Sequence, residues 1–266
     1  RTLVEDIEQV EAALPAAVRG TSRSDHRCSG PLHPGCAGQG FSELRRTVLS
    51  VEVLFSDAHL LVVNKPAGVP SQPDPTGDPC VVDLLGLPEL AMPHRLDRPV
   101  SGVMVLTRTP EALRSMNDLF ADQRVDKTYL AIVEGRMEGD RTLEHHLVHD
   151  ARAHKARIVA APQKGSSLAR LRVKVLNVGD RYTLVEVRPE GGRFHQIRAQ
   201  LAADGHPIKG DVKYGARRGE ADRSIALHAH TLTFPHPSTF TPFAVKAPVP
   251  GTGLWSKLMP PDRSEA

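Results

Sequence analysis

Short apolar runs that end in turn-forming residues dominate the chain from about residue 47 and predict a strand-rich domain. Residues 60–63 form such a run, which is closed by the turn cluster Asn64-Lys65-Pro66-Ala67-Gly68. Residues 171–176 and 182–187 alternate apolar with polar side chains around Gly179-Asp180, which predicts an antiparallel hairpin with one solvated face. In all, strands are expected at residues 60–63, 103–106, 128–133, 171–176, 182–187, 226–234 and 243–247.

Two predicted helices interrupt these strands. Thr109 is a typical N-cap, and it is followed by Pro110 at the first helical position and Glu111 in the first turn. A second helix is expected over residues 194–204, with Gly205 at its C-cap. Hairpins mixed with isolated helices indicate an α+β fold with a mixed, largely antiparallel sheet and flanking helices, and argue against a doubly wound parallel sheet.

The pattern divides the chain into three parts. Residues 1–20 carry apolar side chains at helical spacing, and residues 20–42 are rich in Gly, Ser, Pro and His. We therefore predict a helix and a loosely held extension over residues 1–46. The main domain is predicted over residues 47–255 and a flexible tail over residues 256–266.

Composition limits the function only loosely. Hydrophobic residues make up 40% and charged residues 24%, which is ordinary globular usage, and the net charge of +3 leans only slightly towards a polyanionic partner. Three cysteines argue against a secreted disulfide framework, and no apolar stretch is long enough for a transmembrane helix. We expect a cytoplasmic protein that has no membrane association.

Four residues that can bind zinc fall within eleven positions of the extension: His26, Cys28, His33 and Cys36. Their spacing does not follow a familiar zinc finger, and such clusters in Gly-rich loops often bind nothing. A structural zinc and an empty cluster both remain open. The predicted functional site itself contains no metal.

The first of three polar segments that could carry chemistry is residues 94–102. Here Asp97 stands among His94, Arg95 and Arg98, in a turn just before an apolar strand. Nearby positive charge favours an ionised carboxylate, which can act as a nucleophile or as a base. The alternative is a surface aspartate that only serves the turn.

The other two segments are residues 191–198 and 126–133. In the first, two glycines lead into a predicted helix start that carries Arg193, His195, Gln196 and Arg198, a natural seat for phosphate or else a solvated basic helix end. The second places Tyr129 on a predicted strand, where a tyrosine is common for packing reasons alone.

Taken together, these segments resemble the RluA family of pseudouridine synthases over roughly residues 47–250. His94-Arg95-Leu96-Asp97 with Ser101-Gly102 is similar to the family's catalytic motif, and Lys127-Thr128-Tyr129-Leu130-Ala131 to its tyrosine motif. The remaining matching segments are residues 64–68, residues 192–198, Gly205-His206-Pro207-Ile208, Gly210-Asp211, Leu227-His228-Ala229 and residues 243–248. Any one match could be chance, but the ordered set is specific.

The resemblance implies a reaction in which uracil is detached from its ribose and reattached through C5, with no cofactor. It implies that Asp97 is the catalytic carboxylate, which either attacks the nucleoside or takes a proton from the ribose. Arg198 is then its ion-pair partner, and Tyr129 stacks on the uracil and helps to move the C5 proton. We expect a central RNA-binding cleft, in which His94, Arg95, Arg193, His195 and Gln196 contact a structured ribosomal or transfer RNA, and a monomeric protein.

The sequence also departs from the family pattern. Val100 stands where the family usually has Thr, Gly191 replaces a hydroxyl residue, and residues 1–46 do not resemble the small RNA-binding domain of many relatives. A second candidate for RNA backbone contact is a basic stretch whose charge could equally be solvated surface: Arg152, His154, Lys155, Arg157, Lys164, Arg170, Arg172 and Lys174.

Three rival interpretations remain at this point. The main one is a non-catalytic RNA-binding or ribosome-assembly factor on the same fold. A metal-dependent hydrolase is suggested by the thirteen histidines but would need carboxylates and histidines clustered as ligands. Another uridine chemistry, such as methylation or reduction, would need a bound cofactor, and no Gly-rich dinucleotide turn occurs in a convincing strand–helix setting.

Overall fold

The computed structural model of the protein describes residues 50–260. Its strands are β1 (Glu52–Ser56), β2 (Leu60–Lys65), β3 (Ser101–Thr107), β4 (Asp126–Glu134), β5 (Arg141–Asp150), β6 (Lys155–Val159), β7 (Ser166–Val178), β8 (Tyr182–Glu190), β9 (Leu227–Pro235) and β10 (Pro242–Lys246). Its helices are α1 (Val81–Leu85), α2 (Pro110–Ala121), α3 (Gln196–Ala203), α4 (Leu254–Leu258) and a 3₁₀ turn, Val212–Tyr214.

The strands form one ten-stranded sheet in the order β1-β2-β3-β9-β4-β8-β7-β5-β6, and β10 also pairs with β9. All the strand pairs are antiparallel except β3 and β9, which are parallel over two residues. The predicted α+β fold with a mixed, largely antiparallel sheet is confirmed.

Strands β2 and β3 are buried on both faces, which explains why they read as continuous apolar runs. Leu61 and Met104 belong to the larger core on one face, whereas Val62 and Val103 belong to a second core on the other face, beside α2. Helix α2 begins as predicted, because the Thr109 hydroxyl accepts the Ala112 N–H at 3.2 Å.

The predicted helix over residues 194–204 begins later than expected. His195 is its N-cap in a left-handed conformation (φ 50°), so Phe194 precedes the helix and stacks on the His195 ring at 3.9 Å between centroids. The left-handed turn at His195 is the physical reason, because it breaks the helical path that the apolar spacing suggested. Gly205 lies just beyond the helix with φ 85°, as its predicted capping role requires.

The domain also extends further than the predicted boundary at residue 255. Helix α4 reaches Leu258, whose side chain is buried in the larger core, and the Asn177 side-chain amide donates to the Leu258 carbonyl at 2.8 Å. Residues 256–258 are therefore part of the packed domain and not of a flexible tail. The predicted helix over residues 1–20 and the His26, Cys28, His33 and Cys36 cluster lie outside the described residues.

Several elements have no clear sequence pattern. Strand β5 breaks the apolar alternation with His145-His146, and the β5–β6 connection, residues 151–154, contains no Gly, Asn or Pro. His154 adopts a left-handed conformation there (φ 44°), which glycine or asparagine usually occupies.

No helix within residues 50–260 has both the length and the apolar character needed to span a membrane.

The sheet opens beside the 94–102 segment. Strand β3 pairs with β9 only through Ser101 and Gly102, and β10 takes over the same side of β9 from Thr231 onwards. Beyond Gly102 the edge of β3 is covered by the chain before it: Ala91 bridges to Thr107, and the His94 ring accepts the Val105 N–H at 2.9 Å. The 94–102 segment is thus held at a split in the sheet.

Gly102 is the residue that permits the two strands to meet. Its φ is 117°, and a Cβ atom placed there would lie 2.1 Å from the Ala229 carbonyl oxygen. Both the conformation and the contact exclude a side chain.

We predict that Gly102→Ala destabilises the protein by at least about 3 kcal/mol, because the methyl group forces β3 and β9 apart. Urea unfolding measures the change. Gly251→Ala is the control, since a Cβ atom there meets nothing within 4 Å and should change stability little. Equal stability of the two variants would contradict this account of the β3–β9 junction.

Candidate active site

The turn that carries Asp97 is anchored on both sides. Leu96 and Val100 are buried in the larger core, and the Ser71 hydroxyl bonds both the N–H and the carbonyl of Leu96, at 3.1 and 2.7 Å. The Val100 N–H donates to the Asp97 carbonyl at 3.0 Å and closes the turn. Asp97 therefore projects from a rigid backbone with its side chain 24% exposed.

A buried ammonium group lies beneath this turn. Lys65 is completely buried, and its Nζ donates to the carbonyls of Pro66, Val69 and Arg98 at 2.9, 2.7 and 3.2 Å. Burial lowers the pKa of Lys65 to about 7, while the negative charge of Asp97 opposes the shift. Lys65 thus ties the turn after β2 to the residue that follows Asp97.

The carboxylate of Asp97 is paired with a buried arginine. Arg198 Nη1 lies 3.0 Å from Asp97 Oδ2, although the two residues are 101 positions apart. The rest of the guanidinium faces Asp211, with Nε 2.7 Å from Oδ2 and Nη2 2.9 Å from Oδ1. This two-point contact fixes the plane of the guanidinium, so its remaining group is aimed at Asp97.

Burial increases from Asp97 towards Asp211. The Arg198 side chain is 6% exposed and that of Asp211 is 1% exposed. Burial alone would lower the pKa of Arg198, but the hydrogen bonds and charge of Asp211, and then those of Asp97, raise it above its ordinary value. A guanidinium so deeply buried needs both carboxylates, because an unpaired charge there would be strongly destabilising.

His195 completes the contacts of Arg198 as a neutral ring. Its Nε2 lies 3.0 Å from Arg198 Nη1, which can only donate, so Nε2 must be the unprotonated nitrogen. Nδ1 then carries the hydrogen and donates to the Tyr214 hydroxyl at 2.9 Å. Burial, followed by the charge of Arg198, lowers the pKa of His195 to about 3. The 3.4 Å approach of Nε2 to Asp97 Oδ2 is therefore not an ion pair.

Tyr129 reaches the same site from β4. The pairing of β4 with β9 shifts register between Thr128 and Tyr129, a bulge of the kind that re-aims side chains beside functional sites. Burial and then the charge of Asp97 raise the pKa of Tyr129 well above its ordinary value. Its phenol stays protonated at neutral pH.

Two cavities meet at Asp97. The smaller one, of about 120 Å³, is lined by Asp97, Tyr129, Lys127, Arg193 and Arg198 among others. The larger one, of about 650 Å³, runs past Asp97 as an open groove in which cations outnumber acids. Its lining includes Arg95, Arg98, Arg198, Lys213 and Arg223 together with His154, Asp74 and Asp222. Asp97 thus separates a ring-sized pocket from a mainly basic groove.

Arg98 holds one wall of this groove. Its Nε donates to the Gly68 carbonyl and its Nη1 to the Thr76 hydroxyl, both at 2.9 Å. It also forms ion pairs with Asp74 and Asp78. The residue directly after Asp97 therefore fixes the Pro-rich loop over residues 66–79.

The structure brings most of the predicted site residues together. Asp97, Tyr129, Arg198 and His195 line the small cavity, and so do Arg95 and Arg193, whose side chains are exposed. Gln196 lies there too, but it bonds backbone: its Oε1 accepts the Arg193 N–H at 3.0 Å and its Nε2 donates to the Arg170 carbonyl at 3.0 Å.

His94 is the predicted site residue that lines neither cavity. Its ring stacks on Phe120 at 4.8 Å and accepts the Val105 N–H. Burial, and then the charge of Lys127, lowers the pKa of His94 to about 3. His94 is a neutral part of the fold, and an RNA contact by it stays a prediction without geometric support.

The basic stretch is partly neutralised by acids from neighbouring strands. Arg170 pairs with Glu144, Arg170 and Arg172 both pair with Glu190, and Arg157 pairs with Asp150. At the β5–β6 connection, by contrast, Arg152 is exposed and forms no ion pair among residues 50–260, and the exposed His154 lines the groove.

Sequence reasoning assigned no role to Lys65, Lys127, Asp211 and Tyr214. Asp211 and Tyr214 occur in a short Gly-Asp-Val-Lys-Tyr-Gly segment that has no periodicity, and Lys65 looks like an ordinary turn lysine. The Lys127 Nζ donates to the Gly191 carbonyl, which links β4 to the loop before α3. The sequence does not show that Arg198 is buried, and only this burial indicates that it needs a second carboxylate such as Asp211.

A separate cavity of about 520 Å³ contains a serine–histidine pair. The Ser101 hydroxyl lies 2.9 Å from His228 Nδ1, but Nε2 of this buried ring has no hydrogen-bond partner within the described chain. Burial lowers the pKa of His228 to about 4. Without a carboxylate to orient it, and with so weak a base, the pair does not form a hydrolytic triad.

The metal-dependent hydrolase interpretation finds no support among residues 50–260, because they contain no cluster of three or more side chains that could bind a metal ion.

Comparison with known protein families identifies the class of protein to which this fold and this paired carboxylate belong. The model of the RNA pseudouridylate synthase family matches residues 59–203, which is more than half of the 266 residues. The chain belongs to this family. The resemblance to RluA-type pseudouridine synthases is confirmed.

Two individual proteins of known name are similar to this chain over about three quarters of its length. The chain is 31% identical over 209 residues to the RNA pseudouridine synthase YhcT of Bacillus subtilis, an alignment that covers 75% of this chain and 69% of that protein. It is 34% identical over 217 residues to ribosomal large subunit pseudouridine synthase C of Escherichia coli, which covers 74% of this chain. The chain spans 66% of the length of this second relative, slightly less than two thirds.

Solved structures show the same fold. Human RNA pseudouridylate synthase domain containing 1 superposes with a TM-score of 0.67 and 27% sequence identity, and the match covers 83% of this chain and 88% of that one. Human RNA pseudouridylate synthase domain containing 4 superposes with a TM-score of 0.63 and 26% identity, covering 75% and 88%.

The buried ion pair generates a stability prediction. Asp211→Leu leaves the guanidinium of Arg198 without its two-point partner and should cost roughly 3–5 kcal/mol. The double variant Asp211→Leu with Arg198→Met removes both charges and should recover most of that loss. Urea unfolding of the two single variants and the double variant tests this, and a double variant less stable than Asp211→Leu would contradict it.

Buried neutral histidines should make the protein sensitive to acid. The pKa of His94 is about 3 when folded and 6.5 in its ordinary state, so between these pH values the unfolded chain binds a proton that the folded chain does not. Stability is therefore lost as pH falls below 6.5, by up to about 1.4 kcal/mol per pH unit for one such group.

The variant His94→Gln isolates this effect, because a glutamine oxygen can still accept the Val105 N–H but takes up no proton. Its free energy of unfolding should fall less steeply between pH 6 and 4.5 than that of the unchanged protein, by about 1 kcal/mol per pH unit. Asn117→Gln, on the exposed surface of α2, introduces the same side chain without changing a titratable group and should keep the original slope. Parallel slopes for all three proteins would show that His94 is not the group involved.

Proposed function

We propose that this protein converts uridine to pseudouridine in structured RNA and that Asp97 is its catalytic carboxylate. The observation that carries the proposal is the position of Asp97, which is paired with the buried Arg198 at the junction of a ring-sized cavity and a basic groove. Membership of the RNA pseudouridylate synthase family supports the same reaction.

The reaction explains why two spaces are needed. The bond from ribose C1′ to N1 of uracil breaks, and a bond from C1′ to C5 forms. The proton on C5 leaves to a base and N1 takes up a proton, so that the product is an isomer of the substrate. These atoms are inaccessible in a stacked helix, so the nucleotide must be turned out of the RNA, at a cost of a few kcal/mol. The small cavity accommodates the uracil ring, and the groove holds the backbone from which it came.

The three proposed catalytic residues have distinct tasks. Asp97 uses Oδ2 to meet Arg198, whereas Oδ1 accepts no hydrogen bond from any described residue and is free to face the ribose. Direct attack by this oxygen and removal of a ribose proton both fit the geometry. Tyr129, with its protonated phenol, provides a face on which uracil stacks, an interaction worth about 1–3 kcal/mol.

RNA backbone contacts are proposed for the exposed cations at the cavity mouths. Arg95 and Arg193 are free to meet phosphates, and Arg223 and Lys213 extend the same charge along the groove. His195 and Gln196 are proposed to support RNA binding indirectly, by stabilising the loop before α3, since their polar atoms are engaged with protein groups.

The RNA is proposed to be ribosomal, with transfer RNA as the alternative. The relative from Escherichia coli is named as a ribosomal large subunit enzyme, which favours the first. We further propose that the protein acts as a cytoplasmic monomer. The rival interpretation, a non-catalytic assembly factor, has no support in the site, since Asp97, Tyr129 and Arg198 are all in place.

The decisive comparison is between the unchanged protein and Asp97→Asn, which keeps the size of the side chain but removes its negative charge. Each is incubated with total RNA from cells that lack the gene, and pseudouridine is mapped by carbodiimide labelling and sequencing. We expect a specific uridine to be modified by the unchanged protein only, with a loss of at least about 1,000-fold in the variant.

Asp118→Asn, on the exposed surface of α2, is the matched control and should modify the same uridine at the unchanged rate. A separate binding measurement with the same RNA distinguishes the rival. If all three proteins bind RNA and none modifies it, the assembly-factor interpretation replaces the enzyme.

A further inference from the structure

Tyr214 lies where the β5–β6 hairpin meets the catalytic ion pair. Its ring is buried in a small apolar cluster with Leu147 and Ala156 of the hairpin and Ala199 of α3. This cluster is separate from the two larger cores. The hairpin therefore contacts the helix that carries Arg198 both directly, as where Gln200 Nε2 donates to the Leu143 carbonyl at 3.1 Å, and through Tyr214.

The Tyr214 hydroxyl joins the backbone of the hairpin to the site. Its oxygen accepts the Ala156 N–H at 2.8 Å and also the Nδ1–H of His195 at 2.9 Å. His195 Nε2 accepts from Arg198, which donates to Asp97. Four hydrogen bonds of 2.8–3.0 Å thus lead from β6 to the carboxylate without interruption.

The other end of the hairpin faces the groove. Arg152 and His154 are exposed at the connection between β5 and β6, and His154 lines the groove. Lys213 Nζ donates to the His154 carbonyl at 3.0 Å, and Lys155 Nζ lies 4.7 Å from the centre of the Tyr214 ring. RNA phosphates that bind at this end would therefore act on the strand that Tyr214 holds.

We infer that Tyr214 is a positioning residue that couples the RNA-facing β5–β6 hairpin to Arg198 and so aligns the Asp97 carboxylate when RNA is bound. The inference rests on the proposed function. Tyr214 lines neither cavity, and its hydroxyl bonds to Ala156 and His195. Its contribution therefore passes through His195 and through Arg198, whose guanidinium carbon lies 5.1 Å from the centre of the Tyr214 ring. The alternative is that Tyr214 only fills the small apolar cluster.

Tyr214→Phe separates the two roles, because it keeps the ring and removes the hydroxyl. The probe is an unmodified transcript of large-subunit ribosomal RNA, or of transfer RNA, with tritium at uridine C5, which is released when C5 bonds to the ribose. We expect the single-turnover rate of release to fall about tenfold, while the affinity for the transcript changes less than about twofold. Tyr182→Phe removes another tyrosine hydroxyl, one on β8 that is remote from the site, and should change neither quantity.

A double-mutant cycle tests the coupling itself. Arg152→Glu reverses a charge at the hairpin end and should lower the single-turnover rate in the unchanged protein. In the Tyr214→Phe background the same change should lower the rate less, because the hydrogen bonds from Ala156 through the hydroxyl to His195 are already lost. Additive effects would overturn the coupling, as would a Tyr214→Phe protein that turns over at the unchanged rate.

The failures of the two proposals can be told apart. If the unchanged protein releases tritium and Tyr214→Phe does so equally fast, the function stands and only the coupling is wrong. If the unchanged protein releases no tritium from either transcript, both the proposed function and the coupling are wrong. Thermal unfolding of Tyr214→Phe serves as the check on folding. The melting temperature should fall somewhat, because the Ala156 N–H and His195 Nδ1–H lose their acceptor, and a rate loss in protein that is still fully folded at the assay temperature supports positioning.

Discussion

The structure depends on one buried guanidinium that is shared between two carboxylates. Arg198 would be strongly destabilising in the interior as an isolated charge, and Asp211 offsets much of that cost with a two-point contact. Because Asp211 satisfies the inner side of the guanidinium, Nη1 remains for Asp97 and for the neutral ring of His195. The orientation of the proposed catalytic group thus depends on Asp211, a residue that lines neither of the two cavities at Asp97.

The contact between Arg198 and Asp97 requires two distant parts of the chain to meet, and the opening in the sheet between β3 and β9 brings them together. The 94–102 segment fills the opening between β3 and β9 and is tied to the turn after β2 by Lys65 and Ser71. Helix α3 approaches from the other side, after the left-handed turn at His195. Gly102, where β3 touches the Ala229 backbone, fixes the distance between the strands. The rigidity of the turn is therefore a consequence of the sheet and not of the turn sequence alone.

The sequence predicted those parts of the fold in which local pattern and tertiary position agree. Strands β2 and β3 were predicted because burial on both faces produces unbroken apolar runs, and α2 because Thr109 and Pro110 mark its start. The β5–β6 hairpin was missed because its polar strand is covered only at scattered positions and its connection uses a histidine where a glycine would be diagnostic. The start of α3 was misplaced for a related reason, the unexpected left-handed conformation of His195.

The site was predictable only through the resemblance of its motifs to a family. Periodicity and spacing could not have paired Asp97 with Arg198 across 101 positions. Nor could they separate histidines and amides that contact RNA from those that bond the protein's own backbone. His94 and Gln196 are of the second kind, a distinction that depends on the three-dimensional location of Val105 and Arg170.

For the proposed reaction, the increase of burial from Asp97 to Asp211 has a chemical consequence. Asp211 and Arg198 are almost completely enclosed, whereas Asp97 keeps 24% of its side chain accessible and has one oxygen free of protein hydrogen bonds within the described chain. A carboxylate buried as deeply as Asp211 would be fixed but unreachable, and one as exposed as a surface aspartate would be reachable but surrounded by mobile water. Pairing on one oxygen and exposure of the other resolve this conflict, because the cost of burying charge falls on the inner pair and the outer oxygen remains available to react.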